Sequence, residues 1–277
     1  MSAIADMDTA NRHMIPLIGH DVHVWRLDAH GWRGVDLAGM RAMLSNEENA
    51  RADRFLFERD RTRFLRVHAA VRCVLADYLG CEADALQFAT NAHGKPYLVK
   101  SPSSGTLCFN LSHAEDAAVL ALTRNRDIGV DIEIRHLPKD YMSVAKDVFS
   151  TTEFEAFCAL SIGQHADAFF CTWTRKEAVL KALGVGLSVE PALINTGLAA
   201  TPREVPVQCD ATPRTIFVTT LAARDNAIIS VAATQKIDRL LPFSFDAPNR
   251  LAAYQQITRT PLGEANRGQM PQEARQC

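Results

Sequence analysis

The alternation of apolar and polar positions lays out a series of strands and helices. Asp21 to Asp28, "DVHVWRLD", alternates as a half-buried strand does. In "SNEENARADRF", Ser45 is followed three residues later by Glu48, the capping-box pattern of a helix start. Helical spacing then runs through Phe64, Leu65, His68, Val71, Leu75, Tyr78 and Leu79, and Gly80 ends it. "NAHGKPY" is a turn punctuated by Gly94 and Pro96. "TLCFNLSH", "DAAVLALT" and "DIGVDIEI" read as three strands. "FSTTEFEAF" starts a helix with Ser150 or Thr151 as its cap, and "DAFFCTWTRKEAVLKALGVGL" is a helix stopped by Gly184 and Gly186. "TIFVTTLA" and "NAIISVAAT" form a last strand pair around a turn at Arg224-Asp225-Asn226. Helices interleave with strands in two comparable halves, which predicts an α+β protein. Residue identities alone show no internal repeat. Residues 1–19 lack periodicity and are expected to form a flexible N-terminus. From Asp238 the chain turns polar and proline-containing, so 238–277 is expected to be a tail.

Composition narrows the class. The chain has 277 residues, 47% of them hydrophobic, enough for one large domain or two small ones. A formal net charge of −2 does not suggest a nucleic-acid binder. The first twenty residues hold no long apolar stretch, so no signal peptide is expected. No apolar run of about 18 residues occurs, so no membrane span is expected. The seven cysteines are dispersed without a CxxC pair, which removes zinc-type spacing and fits reduced thiols in a cytoplasmic protein.

The chemistry begins at "GVDIEIRH". On a strand, Asp131 and Glu133 share one face, while Val130, Ile132 and Ile134 face a core. Two neighbouring carboxylates repel each other, and a hard divalent cation such as Mg²⁺ resolves that repulsion. The bland alternative is a surface strand with Arg135 as ion-pair partner. In "WTRKEAVLKALGVGL", Trp173, Glu177 and Lys181 line one side of a helix, with Lys176 about 100° round from Glu177. One helix would then present a carboxylate flanked by two ammonium groups, or else merely a solvated Glu177–Lys181 pair. A third carboxylate with two lysines suits a metal-bridged diphosphate. Ser112 and His113 end a strand and both donate hydrogen bonds; Lys95 sits in a tight turn. Seven arginines lie between Arg51 and Arg72, against Asp53, Glu58 and Asp60. Guanidinium suits phosphate, although a solvated helix face accounts for most such runs.

In this order, "ARADRFLFERDRTRFL", "GKP", "FNLSHA", "GVDIE", "FSTTEFEAF" and "WTRKEAVLKALGVGL" resemble the 4′-phosphopantetheinyl transferases of the surfactin-synthetase-activating type, over roughly residues 20–235. The resemblance implies a pseudo-dimer of two similar α+β subdomains, here 20–123 and 124–237, with the site between them. It implies transfer of the phosphopantetheine arm of coenzyme A to a serine of an apo acyl or peptidyl carrier protein, leaving adenosine 3′,5′-bisphosphate. Asp131, Glu133 and Glu177 would hold Mg²⁺. Ser112, His113, Lys176 and Lys181 would contact phosphates, Lys95 the adenine end, and Arg51, Arg54 and Arg63 the 3′-phosphate. Glu177, Lys181 and Glu133 would carry the chemistry. Position 48 is Glu where a basic residue occurs in the family. A cation, rather than a protein side chain, would compensate Asp131 and Glu133. A two-halved chain of this kind suggests a monomer serving secondary metabolism. A non-catalytic coenzyme A-binding module that docks carrier proteins is the alternative. A P-loop kinase is disfavoured by the lack of GxxxxGK[ST].

Overall fold

A computed structural model describes residues 16–27, 32, 36–99, 106–209, 212–222 and 226–245. Each half is built as a strand, a long helix and a hairpin. In the first, β1 (Val22–Arg26) leads through α1 (Leu37–Met43) and α2 (Asn46–Asp53) to α3 (Glu58–Leu79). The small hairpin β2 (Phe88–Thr90) and β3 (Pro96–Leu98) follows, and then the hairpin β4 (Leu107–Ala114) and β5 (Ala117–Arg124). In the second, β6 (Ile128–Ile134) leads through α4 (Tyr141–Val148) and α5 (Thr151–Cys158) to α6 (Ile162–Leu183). Strands β7 (Arg203–Cys209), β8 (Thr212–Ala222) and β9 (Ala227–Ala233) follow, and β10 (Leu240–Ser244) closes the described chain.

The sheet orders are β10-β1-β5-β4 and β6-β9-β8-β7. In both, the leading strand lies beside the second strand of the hairpin, antiparallel to it. The helix between them has 22 residues in each half. This is the expected pair of similar α+β halves, a repeat of topology that residue identities do not reveal.

Local chemistry sets the boundaries. Ser45 and Ser150 each cap a helix by a complete capping box, with Glu48 and Glu153 as the reciprocal partners. Gly80 and Gly184 end the two long helices with φ of 65° and 67°, the left-handed region in which glycine is the least strained residue. The helical stretch expected from Ser45 to Tyr78 is two helices, broken at Arg54–Phe57.

Strand alternation divides the core. Val22, Val24, Val119 and Ala121 of the first sheet pack with Ile128, Val130, Ile132, Ile229 and Val231 of the second, so this apolar cluster joins the halves. The opposite face of the first sheet packs under α3, and that of the second under α6.

Two expectations are corrected. The segment 240–244 is not tail: β10 pairs in parallel with β1, Val22 opposite Leu240, and Phe245 is buried in the first core. Pro242 inside the run hides it, yet β10 is an edge strand, where proline is tolerated. Leu17, within the expected flexible N-terminus, is also buried in that core. Strand β7 alternates Val205, Val207 and Cys209 inward, but Pro206 masks it in the sequence; it is an edge strand, where proline is tolerated. Residues 1–15 and 246–277, and the turn positions Arg224 and Asp225, lie outside the described residues.

Candidate active site

The approach of α6 to β6 is governed by Gly129. A Cβ at that position would stand 2.0 Å from the Ala178 carbonyl oxygen and 2.4 Å from the Ala182 nitrogen. Helix backbone therefore rests directly on strand backbone, with the fully buried alanines 178 and 182 making room. That contact brings Glu177 and Lys181 beside the strand face carrying Asp131 and Glu133. The role of Gly129 is invisible in sequence: a glycine opening a strand carries no mark of what packs on it.

Asp131 is 4% exposed. Its Oδ1 accepts from Lys181 Nζ at 2.6 Å and from Ser112 Oγ at 2.8 Å; Lys181 Nζ also donates to Ser112 Oγ at 3.0 Å. The expectation that a cation alone compensates this carboxylate is thus corrected: a lysine and a serine from two other elements already do so. Arg135 is not its partner, because its guanidinium pairs with Asp167 at 3.0 Å. Lys181 belongs to Asp131 and not to a solvated pair with Glu177. The second oxygen, Asp131 Oδ2, is buried without a hydrogen-bond partner.

The three carboxylates share one electrostatic environment. Burial pushes Asp131 above the ordinary carboxylate range, against the pull of Lys181 and Ser112. Burial raises Glu133 too, helped by the charge of Asp131, while Lys181 and a hydrogen bond with Trp173 oppose the rise. Glu177 is raised by burial and by Asp131, again against Lys181. Glu133 and Glu177 therefore each cost more to ionise because Asp131 is near. Among the described residues no three His, Cys, Asp or Glu side chains form a ready-made metal cage.

The site lies on the seam between the halves. A cleft of about 260 Å³ is lined by His93, Gly94, Lys95, Pro96 and Asn110 from the first half. Glu177, Leu180, Lys181, Gly184 and Gly186 line it from the second. Asn110 Oδ1 accepts from the Val130 backbone nitrogen at 2.8 Å, tying β4 to the free edge of β6. Sequence reasoning missed Asn110; a buried amide in a strand, two residues before Ser112, was the available signal. A larger groove of about 480 Å³ under the first half of α6 contains none of these carboxylates.

Of the other expected residues, Lys95 lines this cleft, while Asp131, Glu133 and Ser112 lie outside its lining. Lys176 is corrected outright. It is 1% exposed and pairs with Glu153 at 2.7 Å, while also donating to the carbonyls of Pro191 and Ile194. The 100° offset that separates it from Glu177 turns it into the interior. Helix α6 thus offers one ammonium group to the site, not two. His113 is exposed, and as the neighbour of Ser112 on a strand it projects to the other face. Arg63 pairs with Asp116, in the turn just beyond His113, at 2.6 Å. Arg51 is exposed with its guanidinium 5.2 Å from the Phe64 ring centroid, and Arg54 is exposed at the end of α2. Lys95 does line the cleft, yet its ammonium turns inward to Ile128 O at 3.0 Å. Glu48 also acquires a reason: it pairs with buried Arg72 at 2.8 Å and with His68 at 3.2 Å.

Comparison with known proteins fits this two-halved site. Residues 32–125 match the family model "4′-phosphopantetheinyl transferase, N-terminal", and residues 127–232 match the 4′-phosphopantetheinyl transferase superfamily. The 4′-phosphopantetheinyl transferase HetI of Nostoc sp. is 36% identical over 220 residues, 79% of this chain and 90% of that protein. A putative 4′-phosphopantetheinyl transferase of Synechocystis sp. is 37% identical over 153 residues, covering 55% of this chain and 61% of its own length. The 4′-phosphopantetheinyl transferase of Bacillus subtilis is 31% identical over 150 residues, with 54% and 64% covered. These likenesses support the family as a whole rather than the surfactin-synthetase-activating type in particular. With nearly all of HetI spanned and a family match on each half, the chain belongs to the 4′-phosphopantetheinyl transferase family.

Proposed function

We propose that this protein transfers the 4′-phosphopantetheine arm of coenzyme A to a serine of an apo acyl or peptidyl carrier protein, releasing adenosine 3′,5′-bisphosphate. The observation that carries the reading is that α6 sets Glu177 and Lys181 in a cleft walled by both halves, with Lys181 bonded to Asp131 and the charge of Asp131 felt by both Glu133 and Glu177. Both walls come from one chain, which supports a monomer as the working unit; dispersed thiols support a cytoplasmic location.

The residues fit Mg²⁺. The buried, unpartnered Oδ2 of Asp131 and two neighbouring carboxylates are hard oxygen donors whose raised proton affinity a divalent cation would offset. Asp131, Glu133 and Glu177 would hold it, and when bound it would neutralise pyrophosphate charge. Glu177 acts as general base. Its raised proton affinity favours taking up the serine proton. The serine oxygen bonds to the phosphorus bearing pantetheine. The bond from that phosphorus to the bridging oxygen breaks, and its electron pair leaves with adenosine bisphosphate. Lys181, already at the cleft, donates to the departing phosphate. Ser112, Lys95, His113, Arg51, Arg54 and Arg63 are the proposed coenzyme A contacts. Lys176 is not among them.

The test is the mass of an apo carrier protein incubated with this chain, Mg²⁺ and coenzyme A. A gain of one phosphopantetheine, lost without Mg²⁺, supports the transferase. Coenzyme A binding with no mass gain on fatty-acid, polyketide and peptide carriers selects the non-catalytic module instead.

A further inference from the structure

The turn between β2 and β3 belongs to the first half, yet its side chains end on the last turn of α6 in the second. Asn91 Nδ2 donates to the Gly184 carbonyl oxygen at 2.9 Å. Lys95 Nζ reaches the Ala182 carbonyl at 3.4 Å and the Ile128 carbonyl at 3.0 Å. The last carbonyls of a helix lack intrahelical partners, and a cation there also meets the negative end of the helix dipole. The turn is prepared for this task. Asn91 Oδ1 accepts from the backbone nitrogens of His93 and Lys95, both at 2.9 Å, while its amide nitrogen points across the seam. Gly184 completes the fit. With φ of +67°, and with a Cβ there only 3.2 Å from Asn91 Nδ2 and 3.3 Å from Lys95 Cδ, no larger residue sits there without strain.

We infer that Asn91 is a positioning residue, which with Lys95 clasps the C-terminal turn of α6 to the first half and fixes the width of the cleft between them. It rests on the proposed transferase reading only for what the cleft binds. One wall is residues 93–96 and the other is Glu177, Leu180 and Lys181, so the clasp sets the separation of the two. Asp131 and Glu177 are held instead by the contact of α6 with Gly129. Opening the clasp therefore weakens retention of coenzyme A more than it slows the chemical step.

The substitution Asn91→Asp separates the two duties. It keeps the oxygen that organises the turn, removes the N–H that crosses the seam, and sets one acceptor against another. Asn91→Ala removes both duties. Hydrogen exchange of residues 180–186 in the full chain, without coenzyme A, is expected to quicken about five-fold or more in Asn91→Asp, the worth of one net hydrogen bond. Exchange in residues 64–75 of α3 should stay unchanged. In carrier assays the KM for coenzyme A should rise by a similar factor, with kcat within about two-fold of the parent. Unchanged exchange at 180–186, or an equal rise at α3, overturns the clasp. So does faster exchange accompanied by an unchanged KM. If the parent chain modifies no carrier while exchange still quickens as described, the clasp stands and the transferase reading falls.

Discussion

Lys176 and Lys181 show how much the position round a helix decides. Both are lysines of one motif; one is interior with Glu153, the other holds Asp131 at the cleft. For Glu177→Gln we expect kcat to fall by about 10²–10⁴, with the melting temperature little changed. Equal activity in the carrier assay would refute its role as base. The three raised carboxylates also fix a pH response. An acid whose folded proton affinity is raised contributes stability below its ordinary value and loses it as pH climbs through the raised one. The ionised cluster is thus a cost at neutral pH, and stabilisation by millimolar Mg²⁺ is expected to be larger near about pH 7.5 than near about pH 5. Thermal melts with and without the ion measure it. His23 acts in the opposite direction. Fully buried beside Tyr78, it is held at about 4 instead of 6.5, chiefly by burial. A depressed histidine gives stability that is present above 6.5 and is lost as pH falls towards 4, in total roughly 3 kcal/mol. In His23→Gln the drop in melting temperature across that window should shrink.

At the scale of elements, α6 rests on Gly129 beneath it and on the Glu153–Lys176 pair beside it, and Asn91 and Lys95 meet its last turn. Glu153 Oε1 also accepts from the backbone nitrogens of Thr196 and Gly197, so the pair ties α5, α6 and the 191–197 segment together. Removing one partner leaves a buried charge uncompensated. Lys176→Met is expected to cost about 3–5 kcal/mol, and adding Glu153→Gln should recover a large part of it. Denaturant unfolding of the single and double variants reads this directly. If Lys176→Met keeps its stability and instead raises the KM for coenzyme A, the interior assignment is wrong. Gly129→Ala forces helix and strand apart, and we expect a loss of about 1–3 kcal/mol together with reduced turnover.

For the whole molecule, the chain folds back on itself: its late strand β10 completes the sheet that β1 begins. Arg239 also pairs with buried Asp21, at 2.9 Å and 2.5 Å. Ending the chain at residue 238 strips the outer edge of β1 and leaves Asp21 unpaired. The melting temperature should drop by several degrees or more. Expressed alone, the matched residues 127–232 would expose Ile128, Val130, Ile132 and Val231 to water and lack one wall of the cleft. We expect that piece to aggregate and to bind no coenzyme A.

The sequence by itself determined most elements and the face on which each acidic residue lies. Capping boxes at Ser45 and Ser150, glycine stops at Gly80 and Gly184, and the two-residue period of "GVDIE" are local physics that needs no partner. Only the tertiary structure decided who meets whom. It gave Asp131 a lysine and a serine, sent Lys176 inward, turned Lys95 towards a helix end, and drew β10 out of an apparent tail. Those outcomes depend on groups far apart in the chain being brought within hydrogen-bond reach, and no spacing along the sequence encodes that distance.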